Sequence, residues 1–181
     1  MILHPQFVAD HVRYARPDCF IQGARPQLSA AATAKFLQSD VPPSVGPLTP
    51  GLNRRAYALR SPLLSRIFSR TRDTLGGVQG CNQSFWRSHA VKVNGYDERF
   101  TAWGPEDREF VARLLHLGVR RRYVRHMAIA FHLHHPSRAP SVPNPFDRLL
   151  QETLARRATW TEQGLTTHLE AGQMPSRVSH R

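Results

Sequence analysis

Asn94-Gly95, Pro105 and Gly118 constrain the fold of this chain more than any other residues. Asn-Gly supplies a turn that needs positive φ. Pro105 suits the first turn of a helix, and Glu106 and Asp107 complement its dipole. Gly118 stops it, so the spacing predicts a helix over 105–117. Phe110, Val111, Leu114 and Leu115 recur at helical spacing and give that helix one apolar face. Ahead of the turn, the glycine-containing stretch from Val78 to Phe85 predicts a strand, and Ser88 to Val93 a short helix or turn. A strand, two helices and a tight turn thus follow one another within about 40 residues.

The flanks extend the pattern. Pro5 to Ala15 reads as a short helix with Phe7, Val8, His11, Val12 and Ala15 on one face. Cys19 to Gln22 is a strand closed by Gly23, and Leu28 to Leu37 an Ala-rich helix. Residues 40–52 hold Pro42, Pro43, Pro47, Pro50, Gly46 and Gly51, which predicts a loop or hinge. Leu63, Leu64, Ile67 and Phe68 form an apolar stripe broken by Arg60, Arg66 and Arg70. A core helix is favoured over a basic surface helix there, because such stripes are usually buried. Arg122 to Val124 and Ala128 to Phe131 read as strands. A Pro-rich loop follows over 136–145, then an amphipathic helix over 146–160. The tail from about Gln163 is expected to be disordered.

With 181 residues, 40% of them hydrophobic, the chain can bury one domain's core. Its net charge is +12, carried by arginine: lysine stands only at positions 35 and 92. Such a surface attracts phosphates, nucleic acid or an anionic membrane face. Cys19 and Cys81 form no C-x-x-C, which argues against a disulfide framework or a cysteine zinc site. No apolar run reaches the length of a membrane span. The N-terminus lacks the features of a signal peptide, so a cytoplasmic location is expected. P-loop, G-x-G-x-x-G and G-x-S-x-G motifs are absent.

Residues 80–107 carry the chemistry. Phe85, Tyr96 and Trp103 are interleaved with Asp97, Glu106 and Asp107. Flat rings stack on sugars, and carboxylates bond hydroxyls or remove a proton from an attacking one. Trp103-Gly104 would leave room for a ligand beside the acidic pair. The plain alternative is that Glu106 and Asp107 only complement a helix dipole. His132-Leu133-His134-His135 ends an apolar strand, and His132 and His135 could ligate a metal. No second His or Cys pair completes a zinc set, and solvated histidines would look the same. Arg120-Arg121-Arg122 could hold a diphosphate, though such runs are more often a solvated face.

These blocks resemble the family 2 type of glycosyltransferase with a GT-A fold, specifically the C-terminal half shared with the β-1,4-galactosyltransferases. Members carry a G-x-N-x-S strand, an N-G-(F/Y)-D turn and a W-G-x-E-D helix start, followed by a strand ending in histidine. Here those are Gly80-Cys81-Asn82-Gln83-Ser84, Asn94-Gly95-Tyr96-Asp97, Trp103-Gly104-Pro105-Glu106-Asp107 and the strand ending His132 to His135. The similarity is close over residues 76–136 and looser before them. It implies an α/β fold, the C-terminal part of a GT-A domain with a mixed sheet flanked by helices, over 1–136, followed by a Pro-rich loop and helix over 137–162 and a disordered tail over 163–181.

Roles follow from the same resemblance. Asp107 would be the catalytic base. Glu106, Trp103, Gly104, Asp97, Tyr96 and Asn82 would bind substrate. His135 and His132 would be ligands of a catalytic Mn²⁺ or Mg²⁺. The chemistry would be inverting transfer from a nucleotide-diphosphate sugar to a glycan or lipid-linked acceptor, in surface polysaccharide synthesis. The basic surface and the Leu63 to Phe68 stripe would themselves suit peripheral contact with an anionic inner membrane. One departure stands out: the family's D-x-D motif is absent from these residues. Ile2-Leu3-His4-Pro5-Gln6-Phe7-Val8 aligns just beyond it. The donor-binding half is therefore expected to be missing, leaving an incomplete and inactive chain with an uncovered sheet edge. Two rivals remain: a non-catalytic glycan-binding remnant, and a basic nucleic-acid-binding protein. Against the second, arginine is spread along the chain and no recognition motif occurs, so no nucleic-acid partner is expected.

Overall fold

The computed structural model describes residues 1–40, 44–136 and 144–169. A mixed four-stranded sheet lies at its centre. Its strands are β2 (Cys19–Gln22), β5 (Arg70–Arg72), β6 (Gln83–Ser84) and β7 (Arg120–Tyr123), in the order β5-β7-β2-β6. β2 and β7 run parallel, with Cys19 opposite Arg120 and Gln22 opposite Tyr123. β5 and β6 are antiparallel outer strands. Two short antiparallel pairs complete the strands. β1 (Ile2–Leu3) pairs with β8 (Ala130–Phe131), and β3 (Gln27–Leu28) with β4 (Leu52–Asn53). The architecture is the expected α/β class with helices flanking a mixed sheet.

The predicted central helix is α5 (Glu106–His116). Gly118 follows it at φ +87°, and the Asn94-Gly95 turn has φ 64° and 71°. Phe110, Val111 and Leu114 are buried against Phe20 of β2, Val93 and Val119. α4 (Arg87–Lys92) precedes the turn, and α6 (Asp147–Arg156) packs against α5. A second apolar cluster joins Ala24, Leu28, Leu52, Ala58, Ile129 and Phe131 under β1, β8 and α2 (Ala30–Leu37). The N-terminal helix is α1 (Phe7–Tyr14).

Polar ties bind these layers. Arg113 and Glu109, both buried on α5, form a bidentate ion pair with Nη2–Oε2 at 2.7 Å and Nε–Oε1 at 2.8 Å. Arg113 also donates to the carbonyls of Val93 and Gly95, which anchors the turn to α5. Thr153 donates to Glu109 at 2.9 Å and brings α6 in. On the other side of the sheet, buried Asp10 of α1 accepts two bonds from Arg60 and one from the Ala128 amide.

Several elements depart from expectation. The strand expected over 78–85 shrinks to β6, and Gly80–Asn82 forms a 3-10 turn. Asn82 causes this: its side chain bonds the carbonyls of Ala24 and Ala128, which pulls the backbone out of the ladder. The helix expected to reach Trp160 stops at Arg156, because Arg157 takes a left-handed conformation. Residues 163–169, expected to be disordered, fold back on the Asn94 turn. Leu165 N–H donates to the Asn94 carbonyl and Thr166 N–H to its side chain. The rest of the tail, residues 41–43 of the 40–52 loop, and 137–143 of the Pro-rich loop lie outside the described residues.

Arg120 to Arg122 form neither a diphosphate cradle nor a free basic face. Arg120 pairs with Asp18 at 2.7 Å, buried Arg121 donates to the Gly76 carbonyl, and Arg122 lies over the Tyr14 ring. Burial lowers the affinity of both Arg121 and Arg122 for their protons.

α3 (Pro62–Phe68) reverses the burial expected of it. Ser65 and Ser69 point inward, while Leu63 is 68% exposed, Ile67 50% and Phe68 41%. The sheet edge is also partly open. β6 is outermost among the described strands, and a groove of about 610 Å³ runs beside it. Val8 and Val12 of α1 form one wall, and Phe85 and Trp86 another. An outer strand beside exposed apolar side chains is a surface open to a further partner strand or ligand.

Candidate functional site

Asp107 sits half-buried in the first turn of α5, and two groups hold its carboxylate. The Gly80 N–H donates to Oδ2 at 3.0 Å, and the Tyr96 hydroxyl lies 3.4 Å from Oδ1. Glycine at position 80 lets the carboxylate come this close: a Cβ there would lie 2.0–2.1 Å from it and would force it to shift. This close approach across the sheet is what the glycine of the G-x-N-x-S block supplies.

Tyr96 stacks on Phe110 with ring centroids 4.5 Å apart, and Phe85 meets the same ring at 5.1 Å. Phe85, Tyr96 and Trp103 all remain exposed. A partly exposed aromatic ledge therefore leads from the groove beside β6 to the Asp107 carboxylate. Burial, the Asp107 charge and the bond to Asp107 push the Tyr96 phenol up to about 12. Tyr96 consequently stays a hydrogen-bond donor and does not compete as a base.

Glu106 accepts from the Gly104 N–H at 3.1 Å, a local cap on the helix start. Gly104 does not leave the ligand space anticipated for it. A Cβ there would meet Phe146 at 3.0 Å and Phe100 at 3.2 Å, so its missing side chain makes room for the aromatic pair that docks α6.

Two residues leave the candidate set. Asn82 is buried and fully engaged. Its amide donates to two carbonyls, and its Oδ1 faces His11 Nε2 at 3.1 Å. With that oxygen as acceptor, Nε2 of His11 carries the proton and Nδ1 accepts from the Ser84 hydroxyl at 2.6 Å. Burial lowers the His11 pKa, consistent with a neutral ring. Asp97 is also buried, clamped by Arg99 through Nη2 at 2.6 Å and Nε at 3.0–3.1 Å. Burial pushes its carboxyl up, but the Arg99 bonds and charge outweigh this, and its pKa lies below the ordinary value. Both residues shape the site from behind rather than line it.

His132 and His135 lie together, with ring centroids 5.1 Å apart. Their spacing suits two imidazoles on one ion, but no third His, Cys, Asp or Glu joins them among the described residues. The pair fits one edge of a coordination shell and not a whole one. Burial, then the Arg25 and His135 charges, lower the His132 pKa, which favours the neutral, ligand-competent ring. Arg25 was not anticipated. It donates to the Cys81 sulfur at 3.6 Å, one residue from the glycine that holds Asp107. Arg25 thus lies between Cys81 and the His132 side, and no sequence motif singled it out.

Residues 67–136 match a protein family described as the N-terminal domain of galactosyltransferase. The matched stretch contains Gly80, Tyr96, Trp103, Glu106, Asp107 and both histidines, and it forms a galactosyltransferase-like region. No curated protein matches the chain.

Proposed function

We propose that this chain carries the acceptor side of an inverting glycosyltransferase that uses a nucleotide-diphosphate sugar, with Asp107 as general base. The observation that carries this reading is the Asp107 carboxylate, held by the Gly80 amide and the Tyr96 hydroxyl at the end of an exposed aromatic ledge. Two donors orient the carboxylate and leave it accepting capacity for an incoming hydroxyl. Tyr96 and Trp103 offer ring faces to an acceptor sugar, and Glu106 stands one residue away to bond its hydroxyls.

In the reaction, an acceptor hydroxyl gives its proton to Asp107 while its oxygen attacks the donor's anomeric carbon. The new C–O bond forms as the bond to the diphosphate breaks, the nucleotide diphosphate departs with that electron pair, and configuration inverts. His132 and His135 would hold a divalent ion, Mn²⁺ or Mg²⁺, which supplies neutralisation of the leaving diphosphate. Two imidazoles beside cationic Arg25 need carboxylate or phosphate oxygens to complete that ion's shell. With no D-x-D in these residues, those oxygens come from the donor or from outside the sequence. The acceptor class we favour is a glycan or lipid-linked glycan of surface polysaccharide synthesis.

The test combines turnover and binding. The chain is incubated with a panel of sugar nucleotides, glycan acceptors and Mn²⁺, and nucleotide diphosphate release is followed. Acceptor binding is read in parallel from Trp103 fluorescence. Asp107→Asn should cut turnover by about 10²–10⁴-fold and leave acceptor binding intact. Acceptor binding with no sugar-nucleotide binding would mark a glycan-binding remnant. A chain that binds neither acceptor nor sugar nucleotide, and turns nothing over, would overturn the assignment.

A further inference from the structure

α3 is built inside out. Its inward face carries hydroxyls: Ser65 and Ser69 bond each other at 3.1 Å, and Ser69 accepts from the Arg125 amide. Ser61 donates its own amide to the His126 carbonyl. Only small side chains let the helix approach the 125–126 backbone this closely, so the large apolar residues turn outward. Leu63 and Ile67 lie one turn apart on the outer face, Phe68 beside them, with Leu59 46% exposed just before the helix. Arg66 and Arg70 lie along the same stripe.

The segment that carries this patch is basic, with Asp73 next after it. Residues 44–72 contain Arg54, Arg55, Arg60, Arg66, Arg70 and Arg72 and no Asp or Glu. Of these, Arg60 is neutralised by Asp10. Arg125 adds a further cation, stacked over Tyr57 at 5.0 Å and Phe68 at 5.9 Å. Exposed Leu, Ile and Phe ringed by arginine match a surface that is anionic outside and hydrocarbon within. Nucleic acid would use the arginines but leave the apolar side chains without a partner.

We propose that α3 docks this protein on an anionic lipid bilayer. Leu63, Ile67 and Phe68 enter the boundary between head groups and acyl chains. Arg66 and Arg70 stay at the level of the lipid phosphates, their stems along the apolar surface. This docking is independent of the Asp107 site and would place that site at the membrane without any spanning helix, of which the described residues contain none.

Sedimentation of the full chain with vesicles tests this without any turnover. Vesicles of phosphatidylcholine alone are compared with vesicles containing phosphatidylglycerol. Binding should require the anionic lipid and weaken with salt. Arg66→Gln and Arg70→Gln should each weaken it about fivefold. The pair Leu63→Ser with Ile67→Ser should weaken it at least about tenfold, while thermal unfolding stays unchanged because both side chains are exposed. Three results would overturn the proposal: no binding to anionic vesicles, binding that ignores these substitutions, or substitutions that instead dissociate a dimer. Oligonucleotide binding that depends on the arginines but not on Leu63 and Ile67 would assign the patch to nucleic acid.

Discussion

Gly80→Ala is the sharpest probe of how the base is held. The added Cβ would stand 2.0 Å from Asp107 Oδ1 and 2.1 Å from its Cγ and Oδ2. Ordinary contacts between such atoms need about 3.4 Å or more, so the carboxylate must retreat by more than about 1 Å. Retreat breaks the 3.0 Å bond from the Gly80 amide and the weaker contact from Tyr96. A hydrogen bond to a charged group contributes about 1.5–3 kcal/mol, and partial exposure of Asp107 lets water recover part of it. A loss of about 1–2 kcal/mol follows, lowering Tm by about 2–8 °C in a chain of this size. Gly76→Ala is the control, since a Cβ at Gly76 meets nothing within 4 Å.

Ultraviolet titration of the tyrosines gives the local readout. Burial, the larger cause, stays in place, so displacing the Asp107 charge should lower the Tyr96 phenol only part of the way from about 12. Where turnover is measurable, a misplacement of this size should lower kcat about 10²-fold. A Gly80→Ala protein that matches the Gly76→Ala control in both Tm and Tyr96 titration would refute the claim that Asp107 is held against Gly80.

Two further outcomes concern the frame. Glu109→Ala leaves Arg113 as a buried cation facing only carbonyls and the Phe110 ring. It should cost about 3–5 kcal/mol in urea unfolding, and a cost below about 1 kcal/mol would contradict the buried ion pair. Stability should also depend on His11. Its native pKa lies below 6.5, chiefly through burial, so the unfolded chain binds more protons as pH falls. Stability is therefore greatest above pH 6.5 and declines from there toward the lowered native value. His89, lowered by burial, contributes with the same sign. His11→Gln should flatten this slope, which urea midpoints on either side of pH 6.5 would show; an unchanged slope would assign it elsewhere.

Local signals were legible wherever punctuation residues act on their own backbone. Asn94-Gly95, Pro105 and Gly118 mark a turn and a helix whose φ angles and hydrogen bonds involve near neighbours, and α5 appeared where the spacing put it. The role sought for Asp107 rests on the same block, and so does the family match over 67–136. What the sequence could not decide was which face of an element looks inward. The apolar stripe of α3 obeys helical periodicity as well as that of α5. Yet α3 passes too close to the 125–126 backbone to bury anything larger than serine.

Partner choice was equally hidden. Asn82 and Asp97 carry side chains suited to a ligand, but their partners come from distant parts of the chain, Ala24, Ala128 and His11, or from a clamp formed by Arg99. Arg25 joined the site only because β3 and β8 bring Gln27 and His132 side by side. Sequence alone determined the backbone punctuation and the acidic helix start, because these depend on steric and dipolar effects within a few residues. Tertiary structure decided which polar groups are consumed by the frame and which stay available, because that depends on burial and on contacts between residues far apart in the chain.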